Sequence, residues 1–300
     1  MQNMPEVIRV AIIGLDTSHS VEYARRIQSP DWPEELLIRG LRVVSCLRFP
    51  SPFQSDAGQS EREAQLSSWG VRVADDVADA LQDSQAVMLE INDPSLHLPW
   101  FLRVVSMGQP VFIDKPLADN VRSGKEIIRL AKLHGIRLAS SSPVRSDAGL
   151  VHACAAIPRP TQAAVYGVLG TAAVGSSVVW YGVHAVEMLN RAMGIGAVAV
   201  TARRDGSGVT LVVDYVDNRR GVVELTEGSS VYGGVLRDSG NISSFHVNNS
   251  SIYTAQLGEI ERFFRGGEPP ATLVDSLDVL AILDATERSL QSARTEPVQY

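Results

Sequence analysis

The run Val111-Phe112-Ile113-Asp114-Lys115-Pro116-Leu117-Ala118 carries an apolar strand straight into an acid, a lysine and a proline. Lysine is scarce in this chain: Lys115, Lys125 and Lys132 stand against an otherwise arginine-based set of cations. Just past a buried strand, a lysine offers a compact, titratable ammonium that can donate to a reacting hydroxyl, a task to which a guanidinium is less suited. Taken alone, Asp114-Lys115-Pro116 would equally cap a loop with its ammonium in water. A second constellation is Trp180-Tyr181-Gly182-Val183-His184-Ala185-Val186-Glu187, in which His184 and Glu187 lie three apart and share one helical face. Near neutrality histidine is the natural side chain to take a proton from a hydroxyl. A packed histidine at a helix start is the alternative for His184.

The turn Gly14-Leu15-Asp16-Thr17-Ser18-His19 follows the first apolar run. A dinucleotide-binding turn has glycine at its first, third and sixth positions, so that backbone N–H groups can approach a pyrophosphate. Gly14 fits, but Asp16 and His19 replace the other two, and a carboxylate near a diphosphate repels it. Thr17, Ser18 and the following helix N-terminus still offer hydroxyl and amide donors. The second strand ends Cys46-Leu47-Arg48. An acid there would suit the ribose of NAD and an arginine a 2′-phosphate, so Arg48 leans toward NADP, unless it is simply a solvated strand-end charge. His97 stands in a strand-end loop, where an α/β sheet has its ligand crevice, whereas His134, His152 and His246 have no supporting pattern.

These residues need elements to hold them. Arg9 to Gly14, Leu41 to Leu47, Ala86 to Ile91, Val111 to Ile113 and Ile136 to Ser140 read as buried parallel strands. Helical patterns alternate with them, over His19 to Gln28, Glu61 to Trp69, Val77 to Leu81, Leu96 to Met107 and Ser123 to His134. Such alternation predicts a Rossmann-type, doubly wound parallel sheet over residues 1–142. After Ser142 the pattern becomes strand on strand, from Ala163 to Arg237, with hairpin-like breaks at Asp205-Gly206-Ser207-Gly208 and Asp217-Asn218-Arg219-Arg220. Residues 143–300 are therefore expected to form an α+β domain with a large, mainly antiparallel, open-faced sheet, closed by helices from Tyr253 and Asp275.

At 300 residues the chain can form two ordinary domains with real cores, and 45% hydrophobic with 20% charged residues is an ordinary globular balance. A net charge of -7 argues against nonspecific binding to nucleic acid or to an anionic membrane surface. Two cysteines without CxxC or Cys/His spacing argue against a thiolate metal site, and no two histidines with acids stand at ligand spacing along the chain. Met1 to Arg9 lacks the pattern of a signal peptide, so a cytoplasmic protein is expected.

In their order and spacing these pieces resemble the Gfo/Idh/MocA family, the glucose–fructose oxidoreductase and inositol dehydrogenase group of NAD(P)-dependent enzymes. The matching stretches are Val10 to His19, Ile91-Asn92-Asp93-Pro94-Ser95-Leu96-His97, Gly108 through Asp114-Lys115-Pro116, Gly182-Val183-His184, and Leu257 to Phe263 with Ser289-Leu290. The resemblance implies hydride transfer between nicotinamide and a CH–OH carbon of a sugar, polyol or related compound, in a homodimer or homotetramer. By position, Lys115 would bind and polarise the reacting oxygen and His184 would act as acid/base. Asn92, Pro94, His97 and Asp114 would line the cofactor crevice with the Gly14–His19 turn, and Trp180, Tyr181 and Glu187 would lie at the substrate. The family often has an acid four residues before the histidine, and here that place is Trp180. Two other readings follow from these departures: a sensor or scaffold without redox turnover, or a lyase or epimerase with a transient nicotinamide step. The substrate's own contacts are expected from Gly170 to Val178 and Val231 to Gly240.

Overall fold

Strands buried on both faces need apolar residues at successive positions, and Val10-Ala11-Ile12-Ile13 and Ala86-Val87-Met88-Leu89 are enclosed along their whole length. In the computed structural model, which describes residues 6–300, they lie at the centre of a six-stranded sheet. The start of the Met1–Arg9 stretch lies outside the described residues. Its strands are β1 (Ile8–Ile13), β2 (Leu41–Leu47), β3 (Arg72–Val73), β4 (Ala86–Leu89), β5 (Val111–Asp114) and β6 (Leu138–Ser141), in the order β3-β2-β1-β4-β5-β6. The order reverses between β1 and β4, which are parallel neighbours. Helices α1 (His19–Gln28), α2 (Asp56–Ser68), α3 (Val77–Leu81), α4 (His97–Val104) and α5 (Val121–Leu133) alternate with the strands.

Helix α2 starts five residues before the apolar pattern predicts. The Ser55 hydroxyl accepts from Gly58 N–H and caps it, while the polar first turn hides the start. Helix α6 (Ala148–Ala156) also escaped prediction, because its alanine-rich sequence has no alternation of polar and apolar faces.

The second sheet orders seven strands as β12-β11-β7-β10-β9-β8-β13. They are β7 (Gln162–Leu169), β8 (Ala197–Asp205), β9 (Gly208–Tyr215), β10 (Arg220–Glu227), β11 (Gly233–Arg237), β12 (Ile242–His246) and β13 (Glu296–Pro297). All pairings are antiparallel except β7 with β10. Helix α7 (Val183–Met193) packs on one face, so closely that a Cβ on Gly221 would lie 2.7 Å from the Leu189 side chain. Between α8 (Ile252–Phe264) and the chain's last strand runs α9 (Leu273–Ser292), whose Ser289 hydroxyl accepts from Ala202 N–H on β8 at 2.8 Å.

The chain forms two compact units, each discontinuous in sequence. The first comprises the described chain up to Asp114 with Glu126–Ser140 and Tyr253–Pro270, and the second comprises Lys115–Lys125, Ser141–Ile252 and Ala271–Tyr300. Leu257, Ile260 and Phe263 of α8 accordingly join Val10, Ile12, Val43, Met88 and Tyr23 in the core of the first unit. No helix of the described residues is long and apolar enough to cross a membrane.

Candidate functional site

The β1–α1 turn is built on Gly14. Its φ of +104° and a Cβ position only 2.1 Å from the Glu90 carbonyl oxygen leave room for no side chain. Asp16 is buried, and its carboxylate accepts from Asn92 N–H at 3.0 Å and from the Ser51 hydroxyl at 2.7 Å. Burial pushes its pKa up, against the lowering effect of those two hydrogen bonds. The Asn92 amide returns a bond to the Asp16 carbonyl at 2.9 Å, so this acid and amide tie the β1 loop to the β4 loop. Thr17 is buried and accepts from His19 N–H, while Ser18, exposed at the N-cap just before α1, makes no side-chain cap. Spacing gave no hint of Arg62, on α2. Its guanidinium donates to the Leu15 carbonyl at 2.7 Å and interacts favourably with the Asp16 charge, while partial burial lowers its pKa. A cation thus stands in the turn that has lost two glycines.

His19 has internal partners. Its ring is buried edge-on against Tyr23 and Tyr253, and Nδ1 lies 3.0 Å from the Asp114 carboxylate. His19, Glu90 and Asp114, all buried, bring ligand-capable atoms within 4.8 Å of one another. Spacing along the chain could not reveal this trio, because it closes from a helix start and two strand ends. Its chemistry suits a divalent cation, although His19 Nδ1 is already committed to Asp114.

Three other expected cofactor contacts also have internal partners. The Arg48 guanidinium binds Asp56 at 3.0 Å, Ser60 at 3.0 Å and Glu63 at 3.4 Å, so a 2′-phosphate there would meet two carboxylates. His97 is completely buried with Nε2 2.9 Å from the Ile91 carbonyl oxygen; it holds the loop rather than lining a crevice. Pro94 is buried at the start of a short 3-10 turn that Asp93 caps through Ser95 N–H.

In the second unit, Lys115 is buried ahead of a cis Lys115–Pro116 bond. His184 opens α7, 6% exposed, with Nδ1 2.6 Å from Ser142 Oγ. Tyr181 and Tyr232 stand edge-on to the imidazole at centroid distances of 5.1 and 5.8 Å. Trp180 and Tyr181 lie on a π-helical turn, Val178–Gly182, a geometry that recurs at functional sites. Trp180 is half-buried and its ring rests 4.9 Å from that of Tyr181. Glu187 is buried against Arg145 at 3.2 Å; desolvation raises its pKa and the guanidinium opposes this. Glu187 is therefore a structural partner of Arg145, contrary to its expected place at the substrate. Of the two loops expected to reach the substrate, the second places Tyr232 beside His184, and half of it is strand β11.

Residues 8–141 match the family model described as an oxidoreductase family with an NAD-binding Rossmann fold, Gfo/Idh/MocA. Over that span the chain resembles the Gfo/Idh/MocA family. The match takes in the Gly14–His19 turn, the Asn92–His97 loop and Asp114-Lys115. Among solved structures, GenD2 from gentamicin A biosynthesis in complex with NAD is similar at TM-score 0.81 and 16% identity, covering 100% of this chain and 98% of that one. Myo-inositol 2-dehydrogenase from Lactobacillus plantarum gives 0.79 and 16%, over 98% and 100%. Scyllo-inositol dehydrogenase from Lactobacillus casei, with bound NAD(H) and scyllo-inositol, gives 0.77 and 14%, over 98% and 99%. At such identities the likeness is one of fold. No curated protein matches the sequence.

The residues of the β1–α1 turn fit a dinucleotide. The sheet reverses order between β1 and β4, where doubly wound folds bind ligands, and α1 begins there without a side-chain cap. Asp16 is turned to internal bonds and Arg62 offsets its charge.

Proposed function

We propose that the chain is an NAD-dependent oxidoreductase acting on a CH–OH group of a sugar, polyol or related hydroxy or carbonyl compound, with Lys115 and His184 as its catalytic residues. The observation that carries this reading is that both side chains are buried within one compact unit, in a chain whose residues 8–141 match an NAD-binding oxidoreductase family. When bound, the nicotinamide supplies the hydride acceptor or donor. In the oxidation direction the imidazole of His184 takes the hydroxyl proton. The Lys115 ammonium stabilises the oxyanion that develops, an electrostatic effect of fixed charge in a dry site. The engagement of Arg48 by Asp56 and Glu63 favours NAD over NADP.

Trp180, in place of an acid, removes one partner for substrate hydroxyls and favours a less hydroxylated compound than inositol. The same substitution, with Asp16 and His19, supports the second reading, a binding protein without redox turnover. Fluorescence titration with NADH and NADPH separates the two, with NADH expected to bind more tightly; failure of both to bind at low salt favours the second. A panel of polyols with NAD then supplies the turnover assay, in which Lys115→Ala and His184→Ala are each expected to lose about 100-fold or more. Full turnover by both variants would overturn the catalytic assignment.

A further inference from the structure

We infer that Ser142 is the positioning residue that decides which nitrogen of His184 exchanges the proton. Ser142 caps the 3-10 turn Pro143–Ser146, its Oγ accepting from Val144 N–H at 3.4 Å and lying 2.6 Å from His184 Nδ1. Three residues on, Arg145 of the same turn donates to the Glu187 carboxylate at 3.2 Å and to the Asn190 side-chain oxygen at 2.8 Å. His184, Glu187 and Asn190 follow one another at intervals of three along α7, so a single turn grips three successive levels of one helical stripe. The rotation of α7, and with it the placement of the imidazole, is set by this double hold. With Trp180 one helical turn ahead of His184, no carboxylate precedes the ring there.

A hydroxyl differs from a carboxylate as a partner because it can both donate and accept. Nδ1 is held by Ser142 in either protonation state, and Nε2 is the nitrogen that works. In oxidation the substrate O–H bond breaks, its proton goes to Nε2, and Nδ1–H of the imidazolium donates to Ser142 Oγ. The hydride of the same carbon leaves to the nicotinamide dinucleotide. In reduction Nε2–H returns the proton to the carbonyl oxygen.

This inference rests on His184 as the acid/base of the proposed reaction, but its test needs no substrate. The full chain labelled with 15N-histidine reports both ring nitrogens of His184, assigned by their loss in His184→Gln. Ser142→Ala is expected to shift the His184 nitrogens and change the tautomer balance of its neutral ring, while the His97 and His19 signals stay in place. Unchanged His184 signals, or equal shifts across all the histidines, would overturn the assignment. Should the alanine variant fail to fold by circular dichroism, Ser142→Cys, nearly as small and a weaker donor, makes the same comparison: a smaller shift at His184 supports the assignment and no shift overturns it. Full turnover by His184→Ala would instead sink the functional reading, a result independent of the ring's nitrogen shifts.

Discussion

Asp16 poses the sharpest question at the scale of one residue, because a buried carboxylate sits in a turn meant for a diphosphate. Burial raises its pKa above the ordinary 3.8. The folded state therefore keeps the proton at pH values where the unfolded chain has lost it. Stability from this group is greatest below the unfolded value and declines as pH climbs through the raised folded value. Asn in its place can still accept from Asn92 N–H and donate to Ser51 Oγ. Asp16→Asn should thus flatten the fall of melting temperature as pH rises above the ordinary carboxylate range and tighten NADH binding near neutrality. A melting profile parallel to that of the parent chain would show that the charge is not felt. Arg62 is the counterpart. Arg62→Ala should weaken NADH roughly 10-fold through loss of a charge-assisted donor, with Arg62→Lys in between, read by fluorescence titration. Equal affinity in all three would remove Arg62 from the site.

Among the elements, the β1–α1 turn is the least forgiving. Any Cβ at residue 14 must take up a φ of +104° and collide with the Glu90 backbone, so relaxation has to move β1 away from β4. Gly14→Ala should cost more than about 3 kcal/mol in urea unfolding; a loss under about 1 kcal/mol would mean that the two strand ends separate freely. Such a position is legible in a sequence, because a glycine after four apolar residues has few other meanings. Lys115 and His184, the proposed catalytic pair, stand out in the same way, by residue type at the end of a strand and the start of a helix. Their partners were not. Ser142 and His184 are 42 positions apart, and serine is common enough to carry no signal until the fold closes. Asn92, Arg48 and His97 show the converse: chemistry-bearing types at strand and loop ends also have internal partners, since buried polar groups must be satisfied wherever they fall. Strand β12, with the sequence Ile-Ser-Ser-Phe-His, was missed because three of its five residues are polar and its pairing to β11 alone makes it a strand.

For the molecule as a whole, the seven-stranded sheet leaves a face to account for. Gly221 meets α7, so by the strand's two-residue period Val222 turns to the opposite face. On that face Val235, Ala164, Val222 and Val212 are successive cross-strand partners over β11, β7, β10 and β9, an apolar row open to solvent. Tyr166 beside it is 40% exposed, and Ile242 on the edge strand is 72% exposed. Arg220, Arg237 and Glu224 border the row with charges of both signs, which a two-fold axis can set against one another. We propose a second copy of the chain as the partner of this face, since an isologous contact of about 1,200–2,000 Å² would pair like rows and unlike charges at once. Sedimentation velocity at micromolar concentration should find the chain as a dimer or higher oligomer. Val222→Asp would set carboxylates against each other at the centre of the contact, where they are costly to bury. It should release monomers whose circular dichroism matches the parent, because position 222 lies on the face away from α7. A parent chain that is monomeric, or a Val222→Asp assembly that holds together, would assign this face to solvent and leave the sheet's open side without a partner.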